Sequence, residues 1–347
     1  MNLLSFHNRK KKRNFGTIGC SLMAASALYA VAGLGNGLVS ASSVFPMQQF
    51  NVIVLGTPDA NNPSAPRTSV GTFNDGSDIQ GNAFINGDVS GTTFAGNGLP
   101  SGATTGLEAT GGITSSSVIV DHGDVVLGGT AATGFRPNSG GTIAQNALQP
   151  ATDLANFTSA LTNASNQWAG LATTAGTSVT TGNSSMNFTI PTGAGNFIVF
   201  NISSSNFGQN DSIEFTNLGA NQQVLINVSD TTFAEPGGVN FNGNSTTADN
   251  VIWNFNNATS ISLSSGFYGS ILAPNATLTD SSTITGNVAV AKINSAGEID
   301  LASMNSTPPL NPVPAGGPLP VPASFGLVAM GSIALLAGTG LRKRVRM

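Results

Sequence analysis

Short runs rich in β-branched and aromatic residues recur along this 347-residue chain and limit its fold more than any other feature. Gly, Asn, Asp or Ser, the residues that form turns, separate the runs. We predict strands at residues 51–55, 79–89, 118–127, 197–202, 224–228, 251–255, 261–263, 270–273 and 288–293. Strands at such short spacing are compatible with a sandwich, a barrel or a coiled solenoid.

Two observations favour the solenoid. Residues 81–85 (GNAFI) and 286–290 (GNVAV) have similar sequences, as expected of repeated rungs. Two-residue hairpin dipeptides are scarce, which disfavours a meander of hairpins. We therefore predict a mainly β protein, built as a right-handed β-solenoid.

Residues 152–172 have a different periodicity. Their apolar positions advance by three or four residues, the spacing of one helix face, and Pro150 lies just before them. These positions are Leu154, Phe157, Leu161, Ala164, Trp168 and Leu171. We predict one amphipathic α-helix packed on the flank of the solenoid, with a partner-binding helix as the alternative.

The charges are unevenly distributed. Of the 12 Lys and Arg residues, five lie at positions 9–13 and four at 342–346, which leaves Arg67, Arg136 and Lys292 between them. All 16 acidic residues lie in that same interval. Because phosphate neutralisation requires Lys and Arg, this distribution disfavours nucleic acid as a partner.

The N-terminal segment has the features of a signal peptide. An apolar stretch at residues 15–39 follows the basic run, and Val39-Ser40-Ala41 is typical of a cleavage site. We predict a signal peptide at residues 1–41, with an uncleaved membrane helix as the alternative. Cleavage would remove Cys20, the single cysteine, so disulfides and thiol chemistry are excluded from the mature chain.

The C-terminal segment has the features of a membrane anchor. Residues 325–341 are 17 apolar or small residues, followed by an Arg-rich end. We predict a transmembrane helix with a basic cytoplasmic tail at 325–347, and a Pro-rich, semi-rigid stalk at 306–324. Residues 42–305 then form one extracytoplasmic domain. A core helix with a basic end is the alternative.

This tail resembles the PEP-CTERM sorting signal of Gram-negative bacteria, which has a Pro-rich lead, one apolar helix and an Arg-rich terminus. The resemblance implies handling by export and sorting machinery. The family's Val-Pro-Glu-Pro is replaced here by Val321-Pro322-Ala323-Ser324, a departure at the position that the sorting enzyme recognises.

The body resembles the choice-of-anchor A domain of bacterial surface proteins. The matching phrases are 50–56 (FNVIVLG), 78–82 (DIQGN), 224–229 (VLINVS), 251–259 (VIWNFNNAT) and 267–276 (FYGSILAPNA). Residues 267–291 also resemble the closing rungs of ice-binding-like adhesive β-helices. The resemblance implies an adhesive module attached through a C-terminal signal, and it supplies no catalytic residues.

The body offers few groups for chemistry. A Ser-His-Asp triad would require His122, the one histidine after residue 41, which we interpret as a turn residue. Asp75, Asp78 and Asp88 are candidates for a carboxylate pair acting on sugars. Asp75, Ser77 and Asp78 are also weak candidates for a calcium site, although Asp-Gly-Ser is ordinary turn sequence.

From these features we predict a membrane-anchored cell-surface adhesin without catalytic residues or a required cofactor. Its expected partners are extracellular polysaccharide or another cell-surface ligand, bound through many weak polar contacts. Two alternatives stay open: a β-helix enzyme acting on polysaccharide, and an ice-binding surface. A regular Thr-x-Thr ladder would favour ice, whereas Thr177, Thr180, Thr277 and Thr279 are scattered in the sequence.

Overall fold

The computed structural model describes residues 44–302 and 304, apart from 63–64, 75, 77, 92, 101–104, 183–184, 209–211, 236–239, 242–244, 296 and 303. The predicted signal peptide, stalk and C-terminal membrane helix lie outside the described residues and stay predictions. Within the described part, no helix is both long and apolar enough to cross a membrane.

The described chain is mainly β. Its helices are α1 (Pro46–Gln49), α2 (Gln149–Ala169) and α3 (Ser245–Asn250), with 3-10 turns at Asn138–Gly140 and Ser204–Asn206. Its strands are β1 (Val52–Val54), β2 (Thr72–Phe73), β3 (Asp78–Ile79), β4 (Ala83–Ile85), β5 (Asp88–Val89), β6 (Phe94–Ala95), β7 (Thr105–Ala109), β8 (Ile119–Val120), β9 (Asp124–Leu127), β10 (Ile143–Ala144), β11 (Ser178–Thr181), β12 (Ser185–Thr189), β13 (Phe197–Ile202), β14 (Ser212–Thr216), β15 (Gln223–Val228), β16 (Thr232–Ala234), β17 (Asn240–Phe241), β18 (Val251–Asn254), β19 (Ser260–Leu263), β20 (Phe267–Tyr268), β21 (Ser270–Asp280), β22 (Ile284–Thr285), β23 (Val288–Ser295) and β24 (Ile299–Asp300). Two short helices therefore accompany the predicted one.

The strands form parallel stacks. The largest sheet has 12 strands, a second has six, and two smaller sheets have four and two. Among the described strands, only the pair β11–β12 is antiparallel. The predicted strand at 79–89 is three separate strands, β3, β4 and β5, which lie in three different sheets. This arrangement is compatible with a β-solenoid, and the right-handed sense stays a prediction.

The largest sheet does not follow the order of the chain. Strand β1 lies in its middle, between β4 and β23. From β1 the chain proceeds through β4, β7 and β9 to β10 at one edge, and it resumes with β13 at the opposite edge. It then returns through β15, β18 and β21 to β23, beside β1. The similar phrases at 81–85 and 286–290 therefore flank β1 on its two sides.

Helix α2 connects the two edges of this sheet. At 1.5 Å per residue its 21 residues span about 31 Å, and the seven strand intervals from β9 to β15 span roughly 33 Å. The helix contacts both of these strands as well as β18 and β21. Its length is therefore matched to the stack that it crosses.

Two apolar cores result, because the sheet is buried on both faces. Val52 and Val54 point into the larger core between the sheets, whereas Ile53 points into a second core beneath α2. Phe157, Leu161, Ala164 and Trp168 are the buried stripe of the helix, and Leu154 and Leu171 pack partly against the same core. The predicted flank packing of the amphipathic stripe is confirmed.

Candidate binding surfaces

One outward surface of the largest sheet is covered by small polar side chains. Strands β16, β19, β21 and β23 lie side by side in register. Two columns of outward side chains cross them: Thr232, Ser260, Thr277 and Lys292 in one, and Ala234, Ser262, Thr279 and Asn294 in the other. We call these eight residues the Ser/Thr face. The residues between the columns, Phe233, Ile261, Leu278 and Ile293, are buried and fix the orientation of the face.

Apart from Ala234, the Ser/Thr face is a regular grid of hydrogen-bonding side chains. Neighbouring strands lie about 4.8 Å apart, and alternate residues along a strand lie roughly 6.6 Å apart. Among the described residues, the hydroxyls of Ser260, Ser262, Thr277 and Thr279 have no hydrogen-bond partner, so they are available to a ligand. Lys292 is the single charged member of the face.

The regularity of this face was missed in the sequence. Thr277 and Thr279 looked scattered, yet they are paired with Ser260 and Ser262 on the adjacent strand. The available signal was a Ser-x-Ser pattern 17 residues before a Thr-x-Thr pattern. Recognising it requires the strand register, which sequence reasoning did not supply.

Three asparagines form a ladder at the ends of β13, β15 and β18. Asn254 Nδ2 donates to Asn227 Oδ1 at 2.9 Å, and Asn227 Nδ2 donates to Asn201 Oδ1 at 2.8 Å. The same Nδ2 groups donate to carbonyls near the C-terminal end of α2: Asn254 to Ser165 at 2.9 Å, Asn227 to Trp168 at 2.8 Å and Asn201 to Leu171 at 3.0 Å. The ladder thus fastens the helix to the sheet.

The ladder can form because the rise of the helix over three residues matches the spacing between adjacent strands. Three helical residues rise about 4.5 Å, and adjacent strands lie about 4.8 Å apart. Carbonyls at positions 165, 168 and 171 therefore meet side chains on three consecutive strands. Trp168 lies in the last turn of the helix and Leu171 lies just beyond it, where backbone carbonyls have no helical donor. The Ser165 carbonyl precedes this turn and gains its Asn254 donor as an additional hydrogen bond.

The calcium candidates are only partly described. Asp75 and Ser77 lie outside the described residues. Asp78 begins β3, and its carboxylate accepts from Asn97 Nδ2 at 2.6 Å. In the part of the chain that the structure describes, no group of three or more His, Cys, Asp or Glu side chains is placed to hold a metal ion. The calcium site stays a prediction.

Asp78 lies in an acidic group on the six-stranded sheet, with Glu298 and Asp300. The pKa of Asp300 is raised to about 6, because burial and then the neighbouring charges of Glu298 and Asp78 disfavour its ionised form. Gln80 Nε2 donates to Glu298 Oε1 at 3.0 Å. The negative charge of this sheet contrasts with the nearly neutral Ser/Thr face.

His122 lies in the turn between β8 and β9, as predicted. Its two acidic neighbours are engaged elsewhere: Asp121 accepts from Asn138 Nδ2 at 2.6 Å, and Asp124 accepts from the Thr142 amide at 2.7 Å. Asp88 similarly accepts from the Gly112 amide at 2.7 Å. These carboxylates brace adjacent rungs of the stack.

Arg67 binds backbone rather than a carboxylate. Its guanidinium donates to the Gly56 and Pro274 carbonyls at 3.1 and 2.5 Å, and to Asn275 Oδ1 at 3.0 Å. Burial lowers the pKa of Arg67 from its ordinary value. The register of β21 against β23 shifts between Ala273 and Thr277. Pro274 and Asn275 lie in this irregular segment, so their hydrogen bonds with Arg67 hold it in place.

Glu108 is a buried carboxyl group beneath the N-terminal end of α2. It is 1% exposed and lies on β7, where it faces Asp153 and accepts from Gln149 Nε2 at 3.4 Å. Burial, followed by the charge of Asp153, raises the pKa of Glu108 to about 8. At neutral pH this carboxyl is therefore mostly protonated.

Glu108 should make the stability of the protein depend on pH. Its folded-state pKa of about 8 exceeds the ordinary value of 4.5, so the unfolded chain ionises first. The stabilisation that Glu108 contributes is fully present below pH 4.5 and is lost as the pH rises through about 8, by up to about 1.4 kcal/mol per pH unit. We expect Glu108→Gln to reduce the fall of the melting temperature over pH 5–9, whereas Asp59→Asn, at an exposed carboxylate, should not. A wild-type slope retained in Glu108→Gln would contradict this assignment.

Comparison with known proteins identifies the family. Residues 45–301 match the family model described as "Putative Ice-binding-like adhesive domain". The chain belongs to this family. The match extends the resemblance noted at residues 267–291 to almost the whole body. The search of the curated proteins and that of the solved structures gave no match. The choice-of-anchor A and PEP-CTERM resemblances stay predictions.

Proposed function

We propose that this chain is an exported, membrane-anchored surface adhesin whose Ser/Thr face binds neutral extracellular polysaccharide or a neighbouring cell. The carrying observation is the grid of unpartnered hydroxyls on β19 and β21. Sugar hydroxyls both donate and accept, so they suit Ser and Thr. Single contacts of this kind are weak, and many copies on one cell add avidity. The body acts by binding rather than by catalysis.

The position of the chain ends supports display of this face. Met47, Gln49, Leu301 and Met304 line one cleft of about 430 Å³, so both ends of the described chain lie together. This cleft also includes Asn51 and Asn287, which directly precede β1 and β23. The Ser/Thr face lies beyond the opposite, C-terminal ends of the strands, because its strands β16 and β19 follow β15 and β18 in the chain. An anchor attached after Met304 would leave the Ser/Thr face unobstructed.

Adhesion should depend on the Ser/Thr face. Cells displaying the full chain should bind immobilised dextran, cellulose or laminarin, and Thr279→Tyr should reduce attachment by about tenfold or more by disrupting the grid. Thr180→Tyr, a matched change on exposed strand β11, should have no effect. Equal attachment by correctly folded Thr279→Tyr would refute the assignment. Release of reducing sugars by the wild type would instead favour the enzyme alternative.

Ice is a second candidate ligand, favoured by the register of Thr277-x-Thr279 with Ser260-x-Ser262 and by the family description. The hydroxyls of this face repeat at about 4.8 by 6.6 Å, and each can hydrogen-bond to a water molecule. Inhibition of ice recrystallisation by the full chain, lost in Thr279→Tyr, would support ice. Attachment to polysaccharide without any effect on ice would support the adhesin.

The anchor is tested by removing it. Because residues 325–341 are apolar and end in a basic cluster, deletion of residues 318–347 should release the protein from the membrane fraction into the soluble fraction. Fractionation and immunoblotting measure the distribution, with the full chain as control. Continued sedimentation with membranes would show that the anchor lies elsewhere.

A further inference from the structure

Beside the asparagine ladder lies an open cleft of about 390 Å³. Its position is set by three strands: Asn201 and Ile202 end β13, Val228 ends β15, and Asn254 ends β18. The volume falls within the roughly 300–1,000 Å³ typical of small-molecule sites. The floor is rigid, because Asn227 and Asn254 are buried and use their amides to hold α2.

The rim of the cleft, in contrast, has free hydrogen-bonding capacity. Asn206 uses Oδ1 to accept from the Ser203 amide at 3.0 Å, and its Nδ2 has no partner among the described residues. Asn256 uses Nδ2 to donate to Asn166 Oδ1 at 2.6 Å, which leaves its own Oδ1 without a described partner. Asn257 makes one long contact of 3.5 Å to the Ser229 carbonyl. The rim thus offers both donors and acceptors.

The chemistry of the lining selects the class of ligand. Among the described lining residues none is charged, and Ala169, Ile202 and Val228 add apolar atoms between the amides. An anion or a cation would lose its hydration without gaining an opposite charge. A neutral sugar has hydroxyls that donate and accept, together with apolar C–H groups, and it matches both parts of the lining.

We propose that this cleft binds a short neutral oligosaccharide, such as the end or a branch of a polysaccharide chain. The proposal rests on the proposed adhesive function and adds a second, concave site to the extended Ser/Thr face. The two are adjacent along the chain, since Ser229 precedes β16 by three residues and Asn257 precedes β19 by three. One polysaccharide could therefore contact the face and insert its end into the cleft.

The test uses the full-length protein in detergent with maltotriose, cellotriose, laminaritriose and the anionic trigalacturonate. Saturation-transfer NMR and calorimetric titration should show binding of at least one neutral trisaccharide and none of trigalacturonate. Asn257→Asp keeps the side-chain shape, removes the amide donor and adds a charge, and should weaken binding by about tenfold or more. Asn163→Asp, the same change on the exposed face of α2, should not.

A second variant, Ser229→Ala, guards against a folding defect at Asn257 and should also weaken binding. Absence of binding by every neutral trisaccharide would overturn the proposal, as would binding that both cleft variants leave unchanged. Cell attachment to polysaccharide is measured in parallel. Attachment retained without trisaccharide binding would refute the cleft alone, whereas absence of attachment by the wild type would refute the adhesive function itself.

Discussion

Replacing Trp168 by alanine should lower the free energy of unfolding by about 3–5 kcal/mol, the range found when large buried aromatics are truncated. Trp168 is 0% exposed and fills the core between α2 and the largest sheet. Its ring centroid lies 5.6 Å from that of Phe45, so the cavity would open beside the first described residues. Chemical unfolding followed by circular dichroism measures the change.

Trp168→Phe is the matched control and should cost much less. Trp168 Nε1 is buried and has no hydrogen-bond partner among the described residues. Phenylalanine leaves a smaller cavity and removes this unsatisfied donor, which offsets part of the lost packing. Two variants of equal and small cost would show that the apolar stripe of α2 faces solvent, and that the partner-helix alternative is correct.

The elements with local signals could be predicted from the sequence. The strand at Phe197–Ile202 was predicted at its observed bounds, and the helix at 152–172 was displaced by three residues. Both have a period that the chain itself displays. Strands β11, β12 and β14 were missed, because their alternating Ser, Thr and Asn residues look like loop sequence. Met186 and Phe188 of β12 and Ile213 of β14 are buried, and their alternation with polar residues was the available signal.

Long-range pairing could not be predicted. Val52 pairs with Val288, 236 positions away, and only the likeness of residues 81–85 to 286–290 indicated that similar rungs exist. The order of strands in the largest sheet depends on α2, which leads the chain from the edge at β10 to the edge at β13. No local sequence pattern indicates where the chain re-enters the sheet. The Ser/Thr face has the same origin, since its columns exist only once β16, β19, β21 and β23 are in register.

The scarcity of charge has a structural counterpart. Arg67, one of three cations in the body, is used to bind backbone carbonyls. Asp121 and Asp124 are used to bind turn residues of the next rung. Among the described residues that line the cleft beside the asparagine ladder none is charged, and amides and hydroxyls predominate. Such a surface suits the neutral, hydroxyl-rich ligands proposed above, which bind through shape and hydrogen bonds.

The asparagine ladder explains why α2 stays on the sheet despite its uncharged outer face. Asn254 is 0% exposed; its Nδ2 donates to two acceptors, and its Oδ1 accepts from Ser165 Oγ at 2.6 Å. Asn201 lies at the exposed end of the same ladder, where water can replace its bonds. The contribution of each asparagine to the free energy of unfolding should therefore decrease from Asn254 to Asn201.

Asn254→Leu should destabilise the protein by about 2–5 kcal/mol, because it leaves Asn227 Oδ1 without its donor and the buried Ser165 Oγ without its acceptor. Asn201→Leu should cost only about 1 kcal/mol. Hydrogen exchange should accelerate at the C-terminal end of α2 in the first variant and change little in the second. Equal costs at the two positions would mean that each asparagine acts alone, whereas the predicted gradient requires that burial of the shared acceptors sets the cost.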